Sequence, residues 1–215
     1  VSGFNAVLDT FGLLIEADRS NVPNVAYSLF MMAGTPFTLI GVMLSKPLSV
    51  AFGKRSVFVV CLLLTSISMC WLFFIPPDNV GMMLLQAFSW GLCYGPTIPL
   101  LWSMIADAAD YSEWNTGRRA TGFVFAGVVF ALKLGLGLGG FVMGLILGFY
   151  GYNSEAAEAS AQAILGIRLT STIYPALFLI VAAGILLFYP ITKELNHRIG
   201  AELAERRKRF DAQPG

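Results

Sequence analysis

Apolar residues in this chain fall in long blocks, not in short alternation, and brief polar stretches separate the blocks. A helix needs ~20 consecutive apolar residues to cross a bilayer. On that measure the predicted spans are about residues 1–15, 25–44, 56–75, 80–106, 120–150 and 163–189, followed by a polar tail, 193–215. The first block is short and carries Asn5 and Asp9, so it reads as the end of a truncated span lining something polar. Pro23 breaks the turn EADRSNVPN after it. Pro36 is expected to kink the second span, and SKPLSVAFGKR at 45–55 is expected to be a basic loop. The third span has no charge and suits a helix that faces lipid over much of its surface. In the fourth, Gly95–Pro96 predicts a backbone break whose carbonyls need protein or water as partners. The sixth has Arg168 near its start and Pro175 inside it.

These elements predict an all-α fold, a polytopic transmembrane helix bundle. A β-barrel would show short alternating segments instead. Composition agrees: 56% of residues are hydrophobic and 13% charged, against roughly 25% charged in soluble domains. The net charge of +1 gives no electrostatic support to a nucleic-acid partner. Cys61, Cys70 and Cys93 all lie in apolar spans and read as structural thiols. His197 is the only histidine, which excludes histidine clusters within this sequence, and no HExxH or GxSxG motif points to an enzyme.

Charge in the short loops sets the expected orientation. Lys46, Lys54, Arg55, Arg118, Arg119 and the tail cations share one side if every span crosses, and Arg19 and Arg168 take the other. The expected location is therefore the cell membrane, multi-pass, with a cytoplasmic C-terminus. The tail has acid-first pairs at helical spacing, Glu194/Arg198, Glu202/Arg206 and Glu205/Arg209. Its RRKR run reads as anchoring charge near the membrane surface.

Three features carry candidate chemistry. Lys133 lies mid-span, ~20 Å from either end at ~1.5 Å per residue. A charge there costs ~2.5–3.5 kcal/mol on insertion scales, so an acid, a wet cavity or a polar substrate must offset it. An interhelical ion pair, with Asp9 or Asp107 as partner by type, is the plainer reading. Asp107, Asp110 and Glu113 share one helical face at the end of the fourth span, just before Arg118–Arg119. They read either as a solvated cap or as a salt-bridge gate. Gly135/Gly139 and Gly140/Gly144/Gly148 have the spacing of close helix contact, which places the fifth span inside a bundle.

The segment MIADAADYSEWNTGRRATGFVFAGVVFALKLGLGLGG resembles the glycoside–pentoside–hexuronide:cation symporter family, melibiose permease-like, of the major facilitator superfamily. Ala106-Asp107, Asp110-Tyr111 and Glu113 fit its acid motif, with Ser112 for the usual Gly; Arg119 fits the loop arginine and Lys133 the central lysine. The resemblance implies two six-helix bundles with alternating access, and this chain as the C-terminal six-helix half with its first helix truncated. It implies peripheral third and sixth spans. It implies secondary active sugar:cation symport, with a small-molecule sugar, the lipid bilayer and an N-terminal six-helix bundle of the same protein as partners. No cofactor is implied beyond a coupling cation, sodium or proton, bound mainly by that N-terminal half. Lys133 is carried over as a cavity residue, joined by Trp102, Tyr94 and Asn5. Asp107, Asp110, Glu113 and Arg119 are carried over as the cytoplasmic gate, joined by Arg118. Two departures stand out: Ile98 replaces a family tryptophan, with Trp102 one turn later, and the 45–55 stretch lacks an acid, so a latch there lacks one partner. The alternative function is a non-transporting membrane module, a sensor, assembly partner or decayed half-transporter.

Overall fold

The computed structural model describes residues 22–76, 79–118, 120–153 and 160–211; the first predicted span, with Asn5 and Asp9, and the loop residue Arg119 lie outside them. Among the described residues there are eight helices and no strand. They are α1 (Val22–Phe52), α2 (Lys54–Phe74), α3 (Val80–Tyr94), α4 (Thr97–Thr116), α5 (Thr121–Phe149), α6 (Ala161–Ser171), α7 (Ile173–Leu186) and α8 (Lys193–Asp211).

Local chemistry sets the breaks. The expected loop at 45–55 is helical as far as Phe52, so the basic stretch belongs to α1, and only Gly53 separates it from α2. Gly53 has φ 84°, a conformation glycine reaches without a Cβ clash. α1 runs unbroken through Pro36 and Pro47. The fourth predicted span divides at Gly95–Pro96, where the Thr97 hydroxyl donates to the Tyr94 carbonyl at 2.6 Å. α4 then continues past the acid cluster to Gly117, whose φ of 68° ends it. The sixth span divides at Thr172, four residues after Arg168, whose carbonyl takes the Thr172 hydroxyl at 2.6 Å. Pro175 lacks the N–H that a continuous helix needs there. Four stretches of the described residues are long and apolar enough to cross a membrane: Gly34–Phe52, Lys54–Phe74, Thr121–Phe149 and Ala161–Leu186.

α2 is central to the packing, touching α1, α3, α4 and α7. Its inner face buries Val57, Phe58, Cys61 and Leu62 against Leu100 and Met104 of α4 and Ala183 of α7. Further along, that face buries Thr65, Ser66 and Ser68, while Val60, Leu63, Leu64 and Ile67 stay exposed on the other. Small polar groups inside and large apolar groups outside invert the soluble pattern. The arrangement is stable in lipid, where exposed Leu costs nothing and helices cohere through small residues and interhelical hydrogen bonds. Ser66 makes one such bond, donating to the Ala176 carbonyl of α7 at 3.0 Å. The span expected to lie at the periphery thus has one open face and one that organises the chain's core.

α1 and α3 approach each other closely through glycines. A Cβ on Gly91 would stand 2.5 Å from the Gly34 carbonyl oxygen, and one on Gly41 2.8 Å from that of Leu92. A Cβ on Gly95 would strike the Thr38 carbonyl. The glycines singled out in the fifth span behave differently. A Cβ at Gly135, Gly139, Gly140, Gly144 or Gly148 would meet nothing within 4 Å, and no residue of α5 is buried. Within the described residues α5 lies at the edge, held by α4 and α6, and is not enclosed as expected. Spacing marks a helix face that permits close contact; it does not supply the helix opposite.

Candidate functional site

One end of the bundle gathers most of the charge. Gly53 starts α2 beside the middle of α4, which puts Lys54 against Asp107. The Lys54 Nζ lies 2.8 Å from Oδ1 and 2.7 Å from Oδ2, so one ammonium donates to both carboxylate oxygens. Asp107 is the more enclosed partner, its side chain 13% exposed against 32% for Lys54. The partner that the 45–55 stretch seemed to lack is thus supplied from α4. Arg55 donates to the Leu187 carbonyl just after α7, and Lys193 Nζ donates to the Val50 carbonyl near the end of α1 at 2.6 Å. Tyr189 donates to the Met104 carbonyl at 3.1 Å.

α8 folds back onto α4 at the same end. The Trp114 indole N–H donates to Glu202 Oε2 at 2.7 Å, Arg198 Nε donates to Glu202 Oε1 at 2.8 Å, and Arg206 donates to the Trp114 carbonyl at 3.2 Å. The acid-first pairing expected in the tail is replaced at Glu202, which bonds back to Arg198 through Oε1 while Trp114 takes Oε2. Arg206, the expected partner, reaches α4 backbone instead. Ile199 and Leu203 are buried beneath this polar lock.

The Trp114 indole, and next the Arg198 guanidinium, hold the Glu202 carboxyl below its ordinary range. A carboxylate favoured in the folded state stabilises fully above its unfolded value, ~4.3, and loses that contribution as pH falls through the lower folded value. Protease sites in the tail are therefore expected to open progressively below about pH 4. Glu202→Gln is expected to open them already at pH 7 and flatten the profile. A wild-type tail equally protected at pH 3 and pH 7 would remove Glu202 from the lock.

Of the gate residues, Asp107 is paired to α2, and Asp110 and Glu113 lie half-buried on the same helix. Arg118 is exposed, its backbone N–H on the Thr116 hydroxyl at 3.3 Å. Arg119 lies outside the described residues. Lys54, Trp114 and Glu202 were not singled out as site residues; the basic FGKR ending and the tryptophan beside the acids were the available signals.

The cavity candidates lie elsewhere. Lys133 is exposed in the middle of α5, twelve residues after Thr121 and sixteen before Phe149, and meets no carboxylate among the described residues. Trp102 stacks on Phe125 at the α4–α5 boundary, ring centroids 6.4 Å apart and planes 8° from parallel. Tyr94 stacks on Trp90 at the end of α3, centroids 4.9 Å apart. Asn5 lies outside the described residues. At the far end of the bundle Arg168 donates to the Phe73 carbonyl at 2.6 Å and covers the carbonyls that close α2.

Removing the charge of Asp107 by Asp107→Asn is expected to lower stability by about 1–2 kcal/mol, between an exposed ion pair and a buried charged hydrogen bond. Thermal unfolding in detergent reads it. The reversed pair Lys54→Asp/Asp107→Lys should recover part of the loss, and additive losses would mean that the two groups are uncoupled.

Comparison with known proteins identifies the family. Residues 21–193 match the model of the family described as MFS/sugar transport protein. The chain is 35% identical to the uncharacterized symporter YnaJ of Bacillus subtilis, over 73% of this chain and 34% of that one. It is 34% identical to the inner membrane symporter YicJ of Escherichia coli, over 81% of this chain and 38% of the relative. A putative sulfoquinovose importer of Escherichia coli is 31% identical over 79% of this chain and 38% of its own length. The chain thus spans little more than a third of these relatives, which are transporters by name and not enzymes. With its all-helical fold and apolar outer faces, and as its resemblance to the glycoside–pentoside–hexuronide:cation symporters implied, this chain belongs to the MFS/sugar transport protein family.

Proposed function

We propose that this chain forms the C-terminal six-helix bundle of a secondary active symporter, which takes up a sugar or glycoside with sodium or a proton by alternating access. The observation that carries the reading is Lys133. It sits in the middle of a 29-residue apolar helix, on an element with no buried residue. A charge there demands a polar surface opposite, and an N-terminal bundle across a wet substrate path supplies one. Trp102, stacked beside the same helix, offers an aromatic face to a sugar, and Tyr94 and Asn5, the latter outside the described residues, are the other proposed cavity residues. The coupling cation binds mainly in the N-terminal half.

The charged end is the cytoplasmic gate, where Asp107 with Lys54, and Asp110, Glu113, Arg118 and Arg119, hold the inward side closed. The clustering of Lys46, Lys54, Arg55, Lys193 and Arg198 towards that end supports a cytoplasmic C-terminus under the positive-inside rule. The named relatives are symporters and importers, which does not favour the sensor or assembly-partner reading.

Uptake of labelled sugars by vesicles containing the full-length protein tests the proposal. The panel is a neutral glycoside, a glucuronide and sulfoquinovose, the latter two taken from relatives named as a glucuronide carrier protein homolog and a putative sulfoquinovose importer. Accumulation that collapses when the sodium and proton gradients are dissipated is expected for at least one class. No gradient-dependent uptake of any sugar would overturn it.

A further inference from the structure

We propose that the charged end of the bundle holds a binding site for the phosphate of an anionic phospholipid, outside the substrate path. A cavity of about 890 Å3 opens there between the end of α1, the start of α2 and the α7–α8 turn. His197 and the cations Lys54, Arg55 and Lys193 line it. Two of these cations do more than add charge. Arg55 covers the Leu187 carbonyl and Lys193 covers the Val50 carbonyl, the helix-end groups that would otherwise repel an anion. Of the acids on the wall, Asp107 is neutralised by Lys54, which leaves Glu194. Residues of the first turn of α2, Lys54, Arg55 and Ser56, line the same cavity, and no side chain caps that end.

A phosphate group is the shared chemistry of a lipid headgroup and a free anion. The apolar wall assigns the source. Val60 and Leu187 line the cavity and are also exposed, and Leu64, Ile185 and Phe188 continue an open apolar surface on α2 and at the end of α7. A diacyl chain can lie along that strip while its headgroup sits among the cations. A soluble anion has no use for it.

Native mass spectrometry of the full-length protein in detergent, titrated with phosphatidylglycerol or phosphatidylcholine, tests this. Phosphatidylglycerol is expected to be retained at one per protein and phosphatidylcholine to be lost. Near a membrane surface each Lys or Arg changes affinity about fivefold. Arg55→Gln with Lys193→Gln should therefore weaken retention about 25-fold. Glu194→Gln should strengthen it, a gain that misfolding does not produce, and Arg168→Gln at the far end should change nothing. Equal retention of the two lipids, or a Glu194→Gln protein that binds as before, would overturn the site. So would millimolar inorganic phosphate that displaces the lipid and binds alone, because that marks a soluble-anion site.

Discussion

Lys133→Ala in the full-length protein is expected to abolish gradient-driven sugar uptake while leaving expression and membrane insertion intact. The two halves of that expectation have separate causes. Removing a charge from mid-span relieves an insertion cost of ~2.5–3.5 kcal/mol, so the variant enters the bilayer at least as readily as the wild type. Lys133 meets no carboxylate among the described residues, so no ion pair among them is broken. What is lost is a cation on an open helix face, where the proposed substrate path runs. Uptake in vesicles with and without an imposed gradient reads the effect. Lys133→Arg keeps the charge and should retain more activity than alanine. Normal accumulation by the alanine variant would remove Lys133 from the path and leave it a bystander charge.

The second large effect concerns packing. Gly91→Ala and Gly95→Ala are each expected to destabilise the bundle by about 1–3 kcal/mol, and leucine at either position by more. Each added Cβ would run into α1 backbone, the Gly34 carbonyl for Gly91 and the Thr38 carbonyl for Gly95. Backbone has no rotamer to turn away, so α1 and α3 must separate or shift along each other. Gly140→Ala and Gly144→Ala are the matched controls, since a Cβ there meets nothing within 4 Å. Thermal unfolding of the purified protein should drop for the first pair and hold for the second. If the α5 variants retain stability but lose transport, α5 is a surface on which another bundle docks or slides. Equal thermal shifts for both pairs would refute the division of the glycines between α1–α3 and α5.

How much of this was legible beforehand differs by feature. The apolar blocks foretold the long apolar helices because span length follows from bilayer thickness, a constraint that acts on each helix alone. The Gly95–Pro96 interruption was legible for a similar local reason, proline's missing N–H beside a glycine, but the same signal at Pro36 left α1 unbroken. The basic stretch at 45–55 was misread as a loop because its two charges near Gly53 look like solvent contact, whereas one of them reaches across to α4. In α5 and in the α1–α3 seam, glycines recur at comparable spacing, yet the structure puts a neighbour against only one of them.

The sequence by itself determined the class of the molecule, its long apolar helical stretches, the singular charge at Lys133 and the family motif around Asp107. All of these are properties of a segment and its immediate neighbours. Tertiary structure alone decided that Lys54 holds Asp107, that Trp114 and Arg198 share Glu202, and that α2 turns its small polar residues inward. In each case the partners lie on different turns or different helices, and a pair such as Lys54 and Asp107, 53 residues apart, leaves no periodic trace in the chain. Helix faces are chosen by what packs against them, and a pattern of apolar residues on all sides, as in α5, contains no direction for that choice.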